Sequence, residues 1–143
     1  FFQKQVFVPL KQLVSEMEKL PMIGVDSHEE FLKRDPNYDE ASVNSATSLL
    51  EAANLRRNVV IDCSHANSNK DHNRQPIVFR EVIRQRTAGN SGVIGLMLES
   101  HLNEGNQSLG NPADLKYGVS ITDACINWET TKTLLREAHA ILS

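Results

Sequence analysis

Three observations predict an α/β fold, with parallel strands covered by helices. Two short runs, residues 58–62 (Asn-Val-Val-Ile-Asp) and 92–98 (Gly-Val-Ile-Gly-Leu-Met-Leu), are β-branched or apolar on both faces. A helical pattern over residues 75–86 separates them. Each run ends in a polar cluster, residues 63–70 after the first and Glu99-Ser100-His101 after the second. Strands apolar on both faces and alternating with helices imply a buried parallel sheet, and such sheets collect their chemistry at the carboxyl ends of their strands.

The elements follow in order. Residues 9–19 read as an amphipathic helix with Leu10, Leu13, Val14 and Met17 at helical spacing and Pro9 in its first turn. Residues 21–42 are rich in Pro, Asp, His and Asn, and Asp35-Pro36-Asn37-Tyr38-Asp39 is a turn whose side chains can bond to nearby backbone. Residues 41–55 form a second helix, with Val43, Ala46, Leu49, Leu50 and Ala53 on one side. After the first strand, residues 75–86 form a helix with Pro76 in its first turn, an apolar stripe of Ile77, Val78, Val82 and Ile83, and Gly89-Asn90 to close it. A long Gly/Asn/Pro loop follows the second strand, and residues 128–142 form the last helix with Leu134, Leu135, Ala138 and Ile141 inward.

Composition narrows the class. A chain of 143 residues has room for one domain with a real core. Its 15 basic and 18 acidic residues leave a net charge of −3, which gives no reason to expect nucleic acid or an anionic membrane as partner. No apolar stretch approaches the roughly 20 residues that cross a bilayer. Cys63 and Cys125 lie in unrelated contexts and make no disulfide framework, which favours a reducing, cytoplasmic compartment. There is no Walker glycine loop, dinucleotide fingerprint, nucleophile elbow or zinc-finger spacing.

Strand alternation puts Ile61, Cys63 and His65 on one face, and Gly95, Met97 and Glu99 on another. The separation 99 − 65 = 34 is about one strand–helix unit, so His65 and Glu99 can share one rim. Asp123 lies in a loop able to fold back over that rim. An imidazole with carboxylates suits a divalent ion. The same residues have a purely structural reading, in which Asp62 and Ser64 terminate the strand, His65 is a hydrogen-bonded rim histidine and Glu99 faces solvent. Cys63 is more often a small buried hydrophobe than a ligand. Residues 64–71 are dense in donors, and Lys70 offers a point charge for a phosphate; a surface Asx-turn loop is the alternative. His28, His72 and His139 read as surface positions, and His101 as lying past the strand end.

Residues 61–71 (Ile-Asp-Cys-Ser-His-Ala-Asn-Ser-Asn-Lys-Asp), 95–107 (Gly-Leu-Met-Leu-Glu-Ser-His-Leu-Asn-Glu-Gly-Asn-Gln) and 116–125 (Lys-Tyr-Gly-Val-Ser-Ile-Thr-Asp-Ala-Cys) closely resemble the class I 3-deoxy-D-arabino-heptulosonate-7-phosphate (DAHP) synthases. The resemblance runs from about residue 58 to residue 142. It implies the carboxyl-terminal part of a TIM (β/α)8 barrel, since a complete barrel takes about 250 residues. It implies condensation of phosphoenolpyruvate with erythrose 4-phosphate, assisted by a divalent metal (Mn, Fe, Co or Zn). His65 matches the ligand ending the seventh strand, Glu99 the ligand ending the eighth, and Asp123 the carboxylate ligand of the following loop. Cys63 is disfavoured as a ligand, because the family's cysteine ligand belongs to the first strand. Lys70, Arg34 and Asn67 fall in the substrate or phosphate neighbourhood.

The sequence also departs from the family. Phe31 stands where distance from Pro36-Asn37-Tyr38 would put the phosphate-binding arginine, and the glycines that follow that arginine are replaced. Residues 1–40 are accordingly expected to form a divergent helix-and-loop segment, and 41–143 the partial barrel. The lysines and arginines of strands two to five have no counterpart here. A catalytically silent truncated barrel is therefore the alternative to an active enzyme. Unpaired sheet edges and the inward face, assigned to Ile61, Cys63 and Met97, predict a homodimer.

Overall fold

A computed structural model describes residues 35–143. The expected helix over 9–19, Phe31 and Arg34 lie outside the described residues. Helix α1 spans Glu40–Ala52, strand β1 Val59–Asp62, helix α2 Gln75–Thr87, strand β2 Val93–Met97 and helix α3 Trp128–Leu142. Short 3-10 turns at His65–Ser68 and His72–Arg74 join β1 to α2, and a third, Pro112–Asp114, lies in the long loop before α3.

Local chemistry explains the element ends. Asp39 caps α1, accepting from the Ser42 N–H at 3.0 Å, and Asn127 caps α3, accepting from the Thr130 N–H at 2.8 Å. Pro76 sits in the first turn of α2, where no N–H is needed. Gly89 ends that helix at φ +104°, a conformation costly for any residue with a Cβ, while the Asn90 N–H closes back on the Gln85 carbonyl.

The two strands pair in parallel, Val60 beside Gly95, Ile61 beside Leu96 and Asp62 beside Met97, with an irregularity between Val59 and Val60. Among the described residues this is a two-strand, three-helix α/β arrangement and not a closed barrel. One contiguous core joins Ile61, Cys63 and Val93 to Val78, Phe79, Val82 and Ile83 of α2, with Leu134 and Ala138 of α3 behind them. Arg80 of α2 grips the Glu137 carboxylate of α3 with two hydrogen bonds, at 2.8 and 3.1 Å.

The described residues cover only one face of the sheet, against the expectation of burial on both. Val60 is 61% exposed and Met97 40% exposed. The expected inward face is also corrected. Ile61 and Cys63 point into the helix layer, while Val60, Asp62 and Met97 share the open side, because aligned residues of parallel strands face the same way.

The buried helix stripes differ from those the sequence suggests. Helix α1 buries Val43 and Thr47 while Ala46 and Leu49 are exposed. In α2 Phe79 is buried and Ile77 exposed. Helix α3 buries Thr131, Leu134 and Ala138 and leaves Leu135 and Ile141 out. A helix packed against one neighbour buries a single stripe, so apolar residues flanking it face outward. No helix of the described residues is long and apolar enough to cross a membrane.

Candidate metal centre

The site lies at the carboxyl ends of the two strands. Glu99 stands two residues past β2, on the Gly95–Met97 parity that faces the open side. Strict alternation would send His65 the other way, with Ile61 and Cys63. Instead the chain leaves β1 in a 3-10 turn in which His65 takes φ +47°, which redirects its ring toward Glu99. A positive φ at a non-glycine residue costs energy, and the surrounding hydrogen bonds hold it. Asn69 and Lys70 also adopt left-handed backbone, and the Lys70 N–H returns to the His65 carbonyl at 2.9 Å.

The Asp62 carboxylate organises this turn. Its Oδ1 accepts from the Ser64 N–H at 2.8 Å, and its Oδ2 lies 2.7 Å from His65 Nδ1. That contact assigns the proton to Nδ1 and leaves the Nε2 lone pair facing the other acids. Nε2 stands 3.4 Å from Glu99 Oε1 and 3.8 Å from Asp123 Oδ2. The Ser64 hydroxyl donates to Glu99 Oε2, the oxygen turned away from His65. Partial burial of His65 acts to lower its pKa but is outweighed by the Asp62 hydrogen bond and the charges of Asp62, Glu99 and Asp123, so the net shift is upward.

Asp123 arrives on the loop after β2. Its segment is pinned by Gly105 and Cys125, which exchange backbone hydrogen bonds at 2.9 and 3.1 Å, and by the Ile126 N–H, which reaches the Glu99 carbonyl at 3.0 Å. Asp123 itself remains largely exposed, with 72% of its side-chain surface open against 22% for Glu99. One ligand atom from each of His65, Glu99 and Asp123 lies within 4.8 Å of the others. Two ligand atoms about 2.1 Å from one ion at tetrahedral angles are roughly 3.4 Å apart, so this spacing and the imidazole–carboxylate donor set fit a divalent metal.

Other residues singled out in the sequence take different places. The Cys63 thiol is fully buried in the core, and burial together with the Asp62 charge pushes its pKa up to about 12, so it is a protonated packing group. Asn67 uses both ends of its amide inside the fold: Nδ2 donates to the Asp62 carbonyl at 2.8 Å, and Oδ1 accepts from the Asn37 N–H at 2.7 Å. It holds the turn. Lys70 is exposed at the end of that turn. His101 is exposed, with Nδ1 accepting from the Leu102 N–H. Asp62 and Ser64, read from sequence as strand terminators, instead contact two of the candidate ligands. A carboxylate three residues before a candidate histidine ligand is a signal that could have found Asp62.

Residues 29–136 match the family model described as the DAHP synthetase I family. Over 105 residues the chain is 57% identical to the phospho-2-dehydro-3-deoxyheptonate aldolase, Tyr-sensitive, of Enterobacter agglomerans, covering 73% of this chain and 49% of that protein. It is 48% identical over 109 residues to the Phe-sensitive aldolase of Escherichia coli, covering 76% of this chain and 31% of that one. A solved phospho-2-dehydro-3-deoxyheptonate aldolase from Francisella tularensis superposes with a TM-score of 0.70 at 36% identity, over 75% of this chain and 31% of that one. The chain thus spans between about a third and a half of the length of these relatives.

Proposed function

Since the chain belongs to the DAHP synthetase I family, we propose that it carries the metal-holding sector of a DAHP synthase (phospho-2-dehydro-3-deoxyheptonate aldolase) active site. There phosphoenolpyruvate condenses with erythrose 4-phosphate at the entry to aromatic amino acid biosynthesis. The observation that carries this reading is the convergence of His65, Glu99 and Asp123 at the carboxyl ends of two adjacent parallel strands. In this reading β1 and β2 are the seventh and eighth strands of a TIM barrel, whose chemistry gathers at that rim. The compartment is the cytoplasm, in keeping with two free thiols, Cys63 and Cys125.

The roles divide by residue. Asp62 keeps the His65 proton on Nδ1 and so presents Nε2. Ser64 fixes one oxygen of Glu99, leaving the other toward the site. When bound, the ion (Mn, Fe, Co or Zn) polarises a carbonyl oxygen and steadies the charge that develops there during carbon–carbon bond formation. Lys70, exposed beside the His65 turn, offers a cation to a substrate phosphate, and Arg34 is proposed as a second. Asn67 serves by holding the turn.

A catalytically silent partial barrel is the second reading, favoured by the two strands present among the described residues. Two phosphorylated substrates must be held in register, and one loose substrate costs a large rate factor. The 143-residue chain by itself is therefore expected to bind one Mn²⁺ in a calorimetric titration but to show no consumption of phosphoenolpyruvate dependent on erythrose 4-phosphate. Equal Mn²⁺ binding by His65→Ala would remove the ion site and with it the proposal. Turnover like that of an ordinary enzyme would show that an assembly of chains completes the wall and would retire the silent reading.

A further inference from the structure

Gln75 is the first residue of α2, directly after the two 3-10 turns that follow β1, and it has no solvent-exposed surface. A wholly buried primary amide needs partners for its donor and its acceptor. Gln75 finds both on one residue. Its Oε1 accepts from the Glu99 N–H at 2.8 Å, and its Nε2 donates to the Glu99 carbonyl at 3.1 Å. The side chain thus pairs with Glu99 as another strand would, two residues past the end of β2. The Glu99 carbonyl is shared, for the Ile126 N–H reaches it at 3.0 Å, three residues after Asp123.

We propose that Gln75 is a positioning residue for the ion site: its amide fixes the Glu99 backbone and, through the shared carbonyl, the loop that carries Asp123. The proposal rests on the reading of His65, Glu99 and Asp123 as ligands. It adds that the placement of two of the three is set by one side chain outside the ligand set. An alternative role in general packing makes a different prediction, because α2 contains other buried residues that form no hydrogen bond to the ligands. Val82, 1% exposed and seven residues further along the same helix, is one.

The test compares wild type, Gln75→Met, Val82→Ala and Glu99→Gln. Methionine preserves the length of glutamine and removes both hydrogen bonds. Mn²⁺ affinity is measured by calorimetry, the visible spectrum of bound Co²⁺ reports ligand geometry, and urea unfolding of the metal-free protein reports stability. Removing a group that orients a ligand weakens metal binding roughly 10- to 100-fold. The expected result is a loss of that size with an altered Co²⁺ spectrum in Gln75→Met, whereas Val82→Ala lowers the unfolding midpoint and keeps wild-type affinity and spectrum. Wild-type binding and spectrum in Gln75→Met would overturn the proposal alone, as would an equal loss of affinity in Val82→Ala. Unchanged binding in Glu99→Gln would instead overturn the ligand reading, and the proposal with it. Should Gln75→Met not fold, Gln75→Glu carries the same comparison, keeping an acceptor for the Glu99 N–H while losing the donor to the Glu99 carbonyl.

Discussion

Asp62 touches the backbone of Ser64 and the ring of His65 with its two oxygens, so a single carboxylate sets the shape of the turn and the tautomer of the ring. Asp62→Asn is expected to leave the protein folded and weaken Mn²⁺ binding by roughly 10- to 100-fold, measured by calorimetry. The surroundings raise the His65 pKa, so in the metal-free protein the proton is held to higher pH than on an ordinary imidazole. The stabilisation from protonated His65 is therefore complete below about pH 6.5 and is lost as pH rises through the raised folded value. A metal ion needs the neutral ring, so affinity is expected to fall with falling pH, beginning above pH ~6.5. A proton NMR titration of the His65 ring should show this shift, and Asp62→Asn should reduce it.

At the scale of elements, the caps and packing positions carry distinct predictions. Asp39 caps α1 through hydrogen bonds to Ser42, which hold its carboxyl below its usual pKa. A lowered folded pKa means stability present above the unfolded value and lost as pH falls through the folded one. Asp39→Ala should lower Tm at neutral pH, and its gap from wild type should narrow as the pH falls through that lowered value. Leu134 is fully buried where α3 meets α2, so Leu134→Ala should cost about 2–5 kcal/mol in urea unfolding. Gly92 precedes β2, where a Cβ would stand 2.7 Å from the Arg57 carbonyl oxygen and 2.9 Å from Thr47 Cγ2. Gly92→Ala must push backbone aside and should destabilise by about 1–3 kcal/mol in the same measurement.

At the scale of the whole molecule, the sheet face left open by the described residues dominates. Val60 and Met97 expose apolar surface on it, and among the described residues each of the two strands has an open edge. Self-association of two copies across this side would bury it, and symmetric pairs are the commonest oligomer. Sedimentation equilibrium at several loading concentrations is expected to give a mass that rises toward twice 16.0 kDa. Val60→Lys should shift that mass toward the monomer; a strictly monomeric mass for wild type at every concentration would defeat the expectation.

The sequence by itself determined the strand–helix–strand order, the parallel class and the last helix to the residue, because β-branched runs, capping residues and helical spacing act locally. It also marked His65, Glu99 and Asp123 as candidate ligands, by strand-end position and family resemblance, and the fold brings the three together. Only the tertiary structure decided which strand face is covered: Ile61 and Val60 are alike as residues, and the position of α2 separates them. Strand alternation could not foresee that His65 leaves its expected face, because the turn at φ +47° is held by Asp62, Asn67 and the Lys70 N–H acting together. Nor could it find Gln75, which beside Pro76 reads as an ordinary helix start. Its partner is 24 residues away in the chain, and a contact of that kind exists only once α2 has packed against the sheet.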